Sequence, residues 1–371
     1  MKRAGGLWDT LTAWSSLTCA LRRAAARKRT RPDVAAFMLE WEPRLVALKR
    51  ELTDGTYIPG RYRTFRVWEP KSRLISAAPF RDRVVHHALT QVLEPVFEPR
   101  FTAQSYACRT GFGTHKAIEA CAAACRAFPF ALKGDIRKYF PSIDHEILKS
   151  QLARAVKCRR TLDLAGRIID GSNPQESVQA WFEGDDLFSP LERRRGLPLG
   201  NQTSQFFANV YLNEFDHFVL RQIRPRAYCR YVDDFLLFHE DKQFLADARA
   251  RIELRLESLR LRLHDGKTRA YRTADGITFL GWRVFPDHRR LVRGNVVRFR
   301  RRLKGLQRDY LAGLIDWDHV AACVQAWNAH ADHGDTWRLR EQIFDQHAFR
   351  LMPQKTIFPG GFAARKPEEK R

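Results

Sequence analysis

The sequence predicts an α+β protein, and three observations point that way. Apolar residues recur at three- and four-residue steps over several long stretches, the mark of helices with one buried face. Short β-prone apolar runs lie between those stretches. Two of these runs close on aspartate, which puts carboxylates at strand ends. With 371 residues the chain is long enough for two or three folding units. At 44% hydrophobic and 12% aromatic it can fill a core, so wholesale disorder is excluded.

Each element has its own signal. A basic run (Arg22, Arg23, Arg27, Lys28, Arg29, Arg31) precedes a helix that begins near Pro32. There Val34, Phe37, Met38, Trp41, Leu45, Leu48 and Leu52 form one apolar stripe, ending before the Asp54-Gly55 turn. Residues 64–68 and 73–76 read as short strands. Residues 81–96 read as a helix stopped by Pro95 and Pro99, and 114–127 as another. A buried strand over 128–132 runs straight into Lys133-Gly134-Asp135. The next helix takes Ser142 or Asp144 as its N-cap. Residues 171–196, rich in Gly, Pro, Asp and Arg, read as a loop. An apolar helix covers 203–219, and 228–238 reads as two strands meeting at Asp233-Asp234. A further helix carries Leu245, Ala248, Ile252, Leu256, Leu259 and Leu263. Residues 277–284 read as a strand, and from about 290 the chain is basic and helical. No repeat of fixed period is present.

Charge narrows the function classes. Lys and Arg number 65 against 42 acids, a formal +23, and the positive residues are clustered. Such a surface expects a polyanion as its partner. No apolar run is long enough to span a bilayer, so no membrane partner is expected. The start of the chain lacks a signal-peptide apolar region. Seven scattered cysteines without a second Cys/His pair at zinc spacing read as reduced thiols of a cytoplasmic protein.

The most informative stretch is residues 230–238, where Asp233 and Asp234 sit inside an apolar β-prone run. Burying ionised carboxylates costs several kcal/mol unless something compensates. A tight turn between strands can present both acids to divalent cations, whose hard character suits oxygen ligands. Asp185-Asp186 is the internal control: the same dipeptide in a polar loop reads as solvated surface. Asp135 ends another apolar run. Two strand ends can bring it beside Asp233 and build a site for two metals about 3.5–4 Å apart, suited to in-line phosphoryl displacement.

Four segments, taken together and in order, resemble the reverse transcriptases. They are Asp135-Ile136-Arg137-Lys138-Tyr139-Phe140, Leu197-Pro198-Leu199-Gly200-Asn201-Gln202-Thr203-Ser204-Gln205, Tyr231-Val232-Asp233-Asp234 and Phe279-Leu280-Gly281-Trp282. The resemblance covers roughly residues 55–285. It implies a right-hand polymerase, with fingers, a palm of antiparallel β-sheet and helices, and a helical thumb. On this reading residues 1–54 are a basic helical extension, 55–134 the fingers and the start of the palm, 135–285 the palm, and 286–371 the thumb and tail. The implied activity is RNA-templated DNA synthesis from deoxynucleoside triphosphates, with two Mg²⁺ ions for which Mn²⁺ can substitute.

Carried over residue by residue, Asp135, Asp233 and Asp234 match the catalytic metal-site acids, with the Ile136 backbone as a further ligand. Phe140 matches the aromatic gate that crowds a ribose 2′-hydroxyl. Lys71 and Arg73 match the cations that hold the incoming triphosphate. Leu199, Gly200 and Gln205 belong to the same nucleotide-binding group, and Lys267 matches a palm lysine near the leaving pyrophosphate. Phe279, Leu280 and Gly281 match the primer grip. Arg298, Arg300, Arg301, Arg302 and Lys304 form a basic helix suited to backbone phosphates.

An aliphatic residue at 199 and Gln at 205 resemble the reverse transcriptases of diversity-generating retroelements, within the group II intron-like bacterial enzymes. That type implies template RNA, cDNA and primer, and a small basic accessory protein oligomer as partners, in a bacterial cytoplasm. It also implies reduced fidelity, since an apolar side chain cannot replace a polar contact to the nucleotide. A related antiphage reverse transcriptase is the alternative. A group II intron enzyme is disfavoured by the short stretch after the primer grip. From another class, a non-catalytic RNA-binding scaffold is the competitor.

Overall fold

The computed structural model describes residues 2–68, 72–173, 175, 176, 178 and 180–346. It divides after His288 into two units. The first begins with helices α1 (Leu7–Thr12), α2 (Trp14–Ala25), α3 (Pro32–Leu39) and α4 (Trp41–Thr53). Where one apolar stripe predicts a single helix from about 32 to just before Asp54, the chain breaks at Glu40, which is non-helical at φ −125° and ψ 40°. Pro43 supplies the reason. It has no N–H for the Leu39 carbonyl and its ring would strike that carbonyl, so a helix entering from Pro32 cannot pass through. Pro43 instead sits in the first turn of α4, where N–H groups have no intrahelical partner anyway.

Strands β1 (Arg63–Trp68) and β2 (Ser72–Ala77) form an antiparallel pair with Arg63 opposite Ala77. Helix α5 (Phe80–Phe97) follows, and α2 packs along it. Then come α6 (Thr114–Ala127), β3 (Phe130–Asp135), α7 (Tyr139–Ser142), α8 (His145–Ala155) and α9 (Arg159–Asp170). Asp144 is the N-cap of α8; its carboxylate accepts from the Ile147 N–H at 3.0 Å. The described residues of the 171–196 segment form a loop apart from the short helix α10 (Ser189–Glu192). Helix α11 (Gln202–Phe218) ends in a π-helical turn, Val219–Ile223. Strands β4 (Ala227–Tyr231) and β5 (Asp234–His239), helix α12 (Lys242–Ser258) and strand β6 (Arg269–Arg272) complete the central layer.

The central sheet is antiparallel in the order β4-β5-β3-β6. Its strands are short: β3 buries Ala131, Leu132 and Gly134, β5 buries residues 235–238, and α12 packs against both. Leu132, Phe235 and Leu237 from the sheet join Leu89 of α5, Phe207 and Phe215 of α11, and Ile252 of α12 in one buried cluster. Residues 277–284, expected as one strand, are a hairpin of β7 (Ile277–Phe279) and β8 (Trp282–Val284). Leu280 and Gly281 turn it with φ of 48° and 86°. Two positive φ values are what a two-residue hairpin turn demands.

The second unit contains β9 (Arg289–Leu291), α13 (Arg293–Leu311), α14 (Trp317–Ala331) and α15 (Trp337–Asp345). Phe299, Leu303 and Ile343 form its core, and the Phe299 ring lies flat on Trp327 with centroids 3.7 Å apart. Among the described residues no helix is long and apolar enough to cross a membrane. All seven cysteines are free.

Candidate active site

Strand register brings the three acids together. In the β3–β5 ladder Asp135 stands directly opposite Asp234. In the β4–β5 ladder Tyr231 pairs with Asp234, so Val232 and Asp233 are the turn between those strands. The Ile136 N–H donates to the Asp233 carbonyl at 3.3 Å, which ties the end of β3 to that turn. On its other side Ile136 faces Leu263 across an antiparallel bridge, bracketed by Arg137 N–H to the Arg262 carbonyl and His264 N–H to the Asp135 carbonyl. That pattern turns the Ile136 carbonyl away from Leu263, toward the side where Asp233 lies.

Two structural devices hold these acids in place. Gly134 sits beside Asp135 because a Cβ there would meet the Phe235 ring at 2.1 Å. The ring needs that space to pack edge-on against Phe215. Val232, a β-branched residue, takes φ 57°, a costly conformation outside glycine. Arg230 holds it: Nη1 donates to the Val232 carbonyl at 2.9 Å. Arg230 is itself fully buried, paired through Nε and Nη2 to both carboxylate oxygens of Asp216 at 2.6 Å. Tyr228 donates to the same carboxylate, and Arg230 also donates to the Ser105 hydroxyl. Sequence reasoning passed over Arg230 and Asp216; an arginine within an apolar strand was the available signal, since a buried cation requires a partner.

The electrostatics are unbalanced. Burial pushes the Asp233 carboxyl up to about 6, with Asp234 and Asp135 adding to the shift. Burial also raises Asp234, and Asp135 adds to it. Lys267 supplies cationic charge, with Nζ 2.9 and 2.8 Å from the two oxygens of Asp135. Its placement follows from the backbone. The His264 N–H hangs from the Asp135 carbonyl, and the His264 carbonyl accepts from the Lys267 N–H, closing a turn that delivers the lysine. With Asp135 turned to Lys267, no group of three or more His, Cys, Asp or Glu among the described residues stands in metal-holding geometry. The donor set nonetheless suits a hard divalent cation: three carboxylates share one corner, and the charges of Lys267 and Lys133 do not bring Asp233 and Asp234 back to the ordinary range.

Three of the expected nucleotide-binding residues, Phe140, Leu199 and Gly200, form a connected group. The Leu197 N–H donates to the Phe140 carbonyl at 2.9 Å, and the Leu199 carbonyl accepts from Ser76 of β2 at 3.1 Å. Gly200, at φ 106°, brings its backbone against Ile75. Buried Asn201, another residue passed over, clamps the loop: its side chain donates to the Ser76 carbonyl at 2.8 Å and accepts from the Ala78 N–H at 3.3 Å. Arg73 lies exposed on β2 opposite Val67, and Lys71 falls outside the described residues. Gln205 is exposed on the first turns of α11. Tyr139 anchors the Phe140 turn through its hydroxyl to the Ala208 carbonyl at 2.6 Å.

Phe279 is buried, which leaves Leu280 and Gly281 as the tip of the β7–β8 hairpin. The hairpin is tied to the sheet by Lys133 Nζ, 2.8 Å from the Thr278 carbonyl. In the second unit Arg298, Arg301, Arg302 and Lys304 are exposed on α13, while Arg300 is half-buried. The control dipeptide departs from expectation. Asp185 is not simply solvated; it pairs with Arg193 and accepts from the Phe182 N–H at 2.8 Å.

Comparison with known proteins gives the class. The sequence profile of the reverse transcriptases (RNA-dependent DNA polymerases) matches residues 68–284, more than half of the chain. This chain belongs to the reverse transcriptase family, and its mixed helices and antiparallel sheets carry that family's fold. It is 28% identical to protein YkfC of Escherichia coli over 289 residues, 66% of this chain and 72% of that protein. It is 26% identical to the group II intron-encoded protein LtrA of Lactococcus lactis over 183 residues, 48% of this chain and 29% of LtrA. Nuclear intron maturase 1 of Arabidopsis thaliana is 34% identical over 85 residues, 23% of this chain and 12% of the maturase. The chain thus spans less than a third of the length of these two intron-related proteins. Among solved structures, apo telomerase of Candida tropicalis aligns with a TM-score of 0.46 at 13% identity, over 65% of this chain and 58% of that one.

Proposed function

We propose that this protein is an RNA-directed DNA polymerase that makes cDNA by metal-assisted phosphoryl transfer. The supporting observation is the register that sets Asp135 opposite Asp234, with Asp233 on the adjoining turn. Asp135, Asp233, Asp234 and the Ile136 carbonyl would hold divalent ions, Mg²⁺ or Mn²⁺, which supply charge neutralisation at the transferring phosphoryl group. The protein's own residues do the rest. Lys267 balances the Asp135 carboxylate. The Phe140 ring excludes a 2′-hydroxyl. Lys71 and Arg73 bind the triphosphate, beside the Leu199-Gly200 backbone and Gln205. Leu280 and Gly281 approach the primer end, and the α13 cations meet backbone phosphates. Residues 55–134, 135–285 and 286–371 serve as fingers, palm and thumb on this reading, with 1–54 as an extension.

The aliphatic Leu199 and the terminal Gln205 favour the diversity-generating type, working with template RNA and a small basic accessory oligomer. A role in antiphage defence uses the same chemistry. A second reading, for which the maturase among the relatives leaves room, is a scaffold that binds RNA without synthesis. Primer extension on an RNA template with Mg²⁺ separates the two. Extension by the wild type, lost in Asp233→Asn, supports polymerisation; RNA binding with no product supports the scaffold.

A further inference from the structure

Beyond the acids, the first unit holds a cleft of about 100 Å³ between the 137–142 turn, Val178 with residues 180–195, and the chain that follows α12. Six cations line it: Arg137, Lys138, Arg193, Arg195, Arg260 and Arg262. Three carboxylates answer them. Asp144 takes Arg260 at 2.6 Å and Arg193 at 3.6 Å, Asp185 takes Arg193, and Glu176 lies 3.6 Å from Lys138. Three positive charges are therefore left over, and among the described residues Arg137, Arg195 and Arg262 form no ion pair with a carboxylate.

The cleft is built rather than incidental. The Phe182 ring has Arg193 and Arg262 over it at 5.5 and 5.4 Å, which fixes two guanidinium planes by cation–π contact. Arg262 is further held by Nη2 to the Trp181 carbonyl at 2.8 Å, and its own carbonyl accepts from Arg137. Burial and the neighbouring Arg193 lower the proton affinity of Arg195, against a smaller opposing pull from Asp144. Planar forks converging from several elements match phosphate oxygens bidentately. The room suits one or two phosphoryl groups, whereas a nucleic-acid strand needs an open track.

We propose that this cleft is a binding site for a free phosphate chain, a diphosphate or the triphosphate tail of a nucleotide, and that Arg195 and Arg262 are its principal ligands. Naming the source of that anion as polymerase substrate or product rests on the proposed function. Affinity for the phosphate chain does not, so binding measured without template or divalent ion stands or falls by itself.

Calorimetric titration of the full chain with inorganic pyrophosphate, in the presence of a chelator, is the test. Arg195→Gln and Arg262→Gln are each expected to weaken binding about tenfold or more, since each removes a charge-assisted fork. Arg249→Gln, a surface arginine paired with Glu253, is expected to leave it unchanged. Exposed Arg262 decides the matter if the Arg195 variant fails to fold. Wild-type affinity in Arg262→Gln, an equal loss in Arg249→Gln, or weakened binding of a short single-stranded RNA with unchanged pyrophosphate binding would each overturn the proposal.

Discussion

Asp185-Asp186 and Asp233-Asp234 are one dipeptide in two electrostatic settings. At the first pair, burial of Asp185 is outweighed by the Phe182 N–H and the Arg193 guanidinium, so its carboxyl is held low. Hydrogen bonds from Ser189 hold Asp186 low as well, and the pair simply caps and pins a short helix. At the second pair, burial and neighbouring carboxylates raise both groups. The fold neutralises its acids where they serve structure. Where burial and like charge outweigh the nearby Lys133 and Lys267, the carboxyls stay raised, and a cation from outside the chain would stabilise their charged forms. An acid pair is informative through what the protein does not supply it with.

The largest expected effect comes from exchanging the two settings. Asp233→Asn is expected to lower single-nucleotide extension on an RNA template on the order of 10³-fold. Asp186→Asn is expected to leave it within about twofold, because the Asp186 carboxylate accepts from Phe188 and Ser189 of its own loop. Equal losses in the two variants would erase the distinction.

Next comes the scaffold beneath the turn. Arg230→Met strands the Asp216 carboxylate in the core and is expected to cost about 3–5 kcal/mol in urea unfolding. Breaking the exposed pair Arg226–Glu240 with Arg226→Met is expected to cost less than about 1 kcal/mol. Gly134→Ala forces a Cβ onto the Phe235 ring and is expected to cost about 1–3 kcal/mol by the same measurement.

The pH dependence differs in sign between the two acid pairs. With chelator present, folded Asp233 keeps its proton up to about 6, while the unfolded chain releases it near 3.8. The folded state therefore binds more protons in that window, and stability falls as pH rises through it. The penalty is absent below 3.8 and complete above about 6. Melting temperatures of wild type and Asp233→Asn should diverge across that range. Parallel curves would show that Asp233 is not destabilised by its surroundings. The smallest effect is on fidelity: Leu199→Gln is expected to lower misincorporation opposite template adenine several-fold, and an unchanged error rate would detach residue 199 from accuracy.

Much of this was legible in the residues. The helix over 114–127 is found with those bounds, since its apolar spacing is uninterrupted and Gly113 precedes it. Asp135 and Asp233 were legible because acids do not end apolar strands without a reason. The hairpin at 280–281 was hidden because an apolar run continues through its turn, and only Gly281 marks it. The Glu40 break was hidden because the stripe keeps its spacing across it, although Pro43 carried the signal. The Arg230–Asp216 pair joins a strand to a helix, and no local periodicity reports a contact of that kind.

The most direct test of the central claim is a Mn²⁺ titration followed by electron paramagnetic resonance, on the protein bound to an RNA–DNA primer–template with a chain-terminating nucleotide. Wild type and Asp186→Asn should take up the ion alike, with uptake abolished in Asp135→Asn and Asp233→Asn. Undiminished binding in both of those variants would mean that the three acids of the β3–β5 corner do not form the metal site.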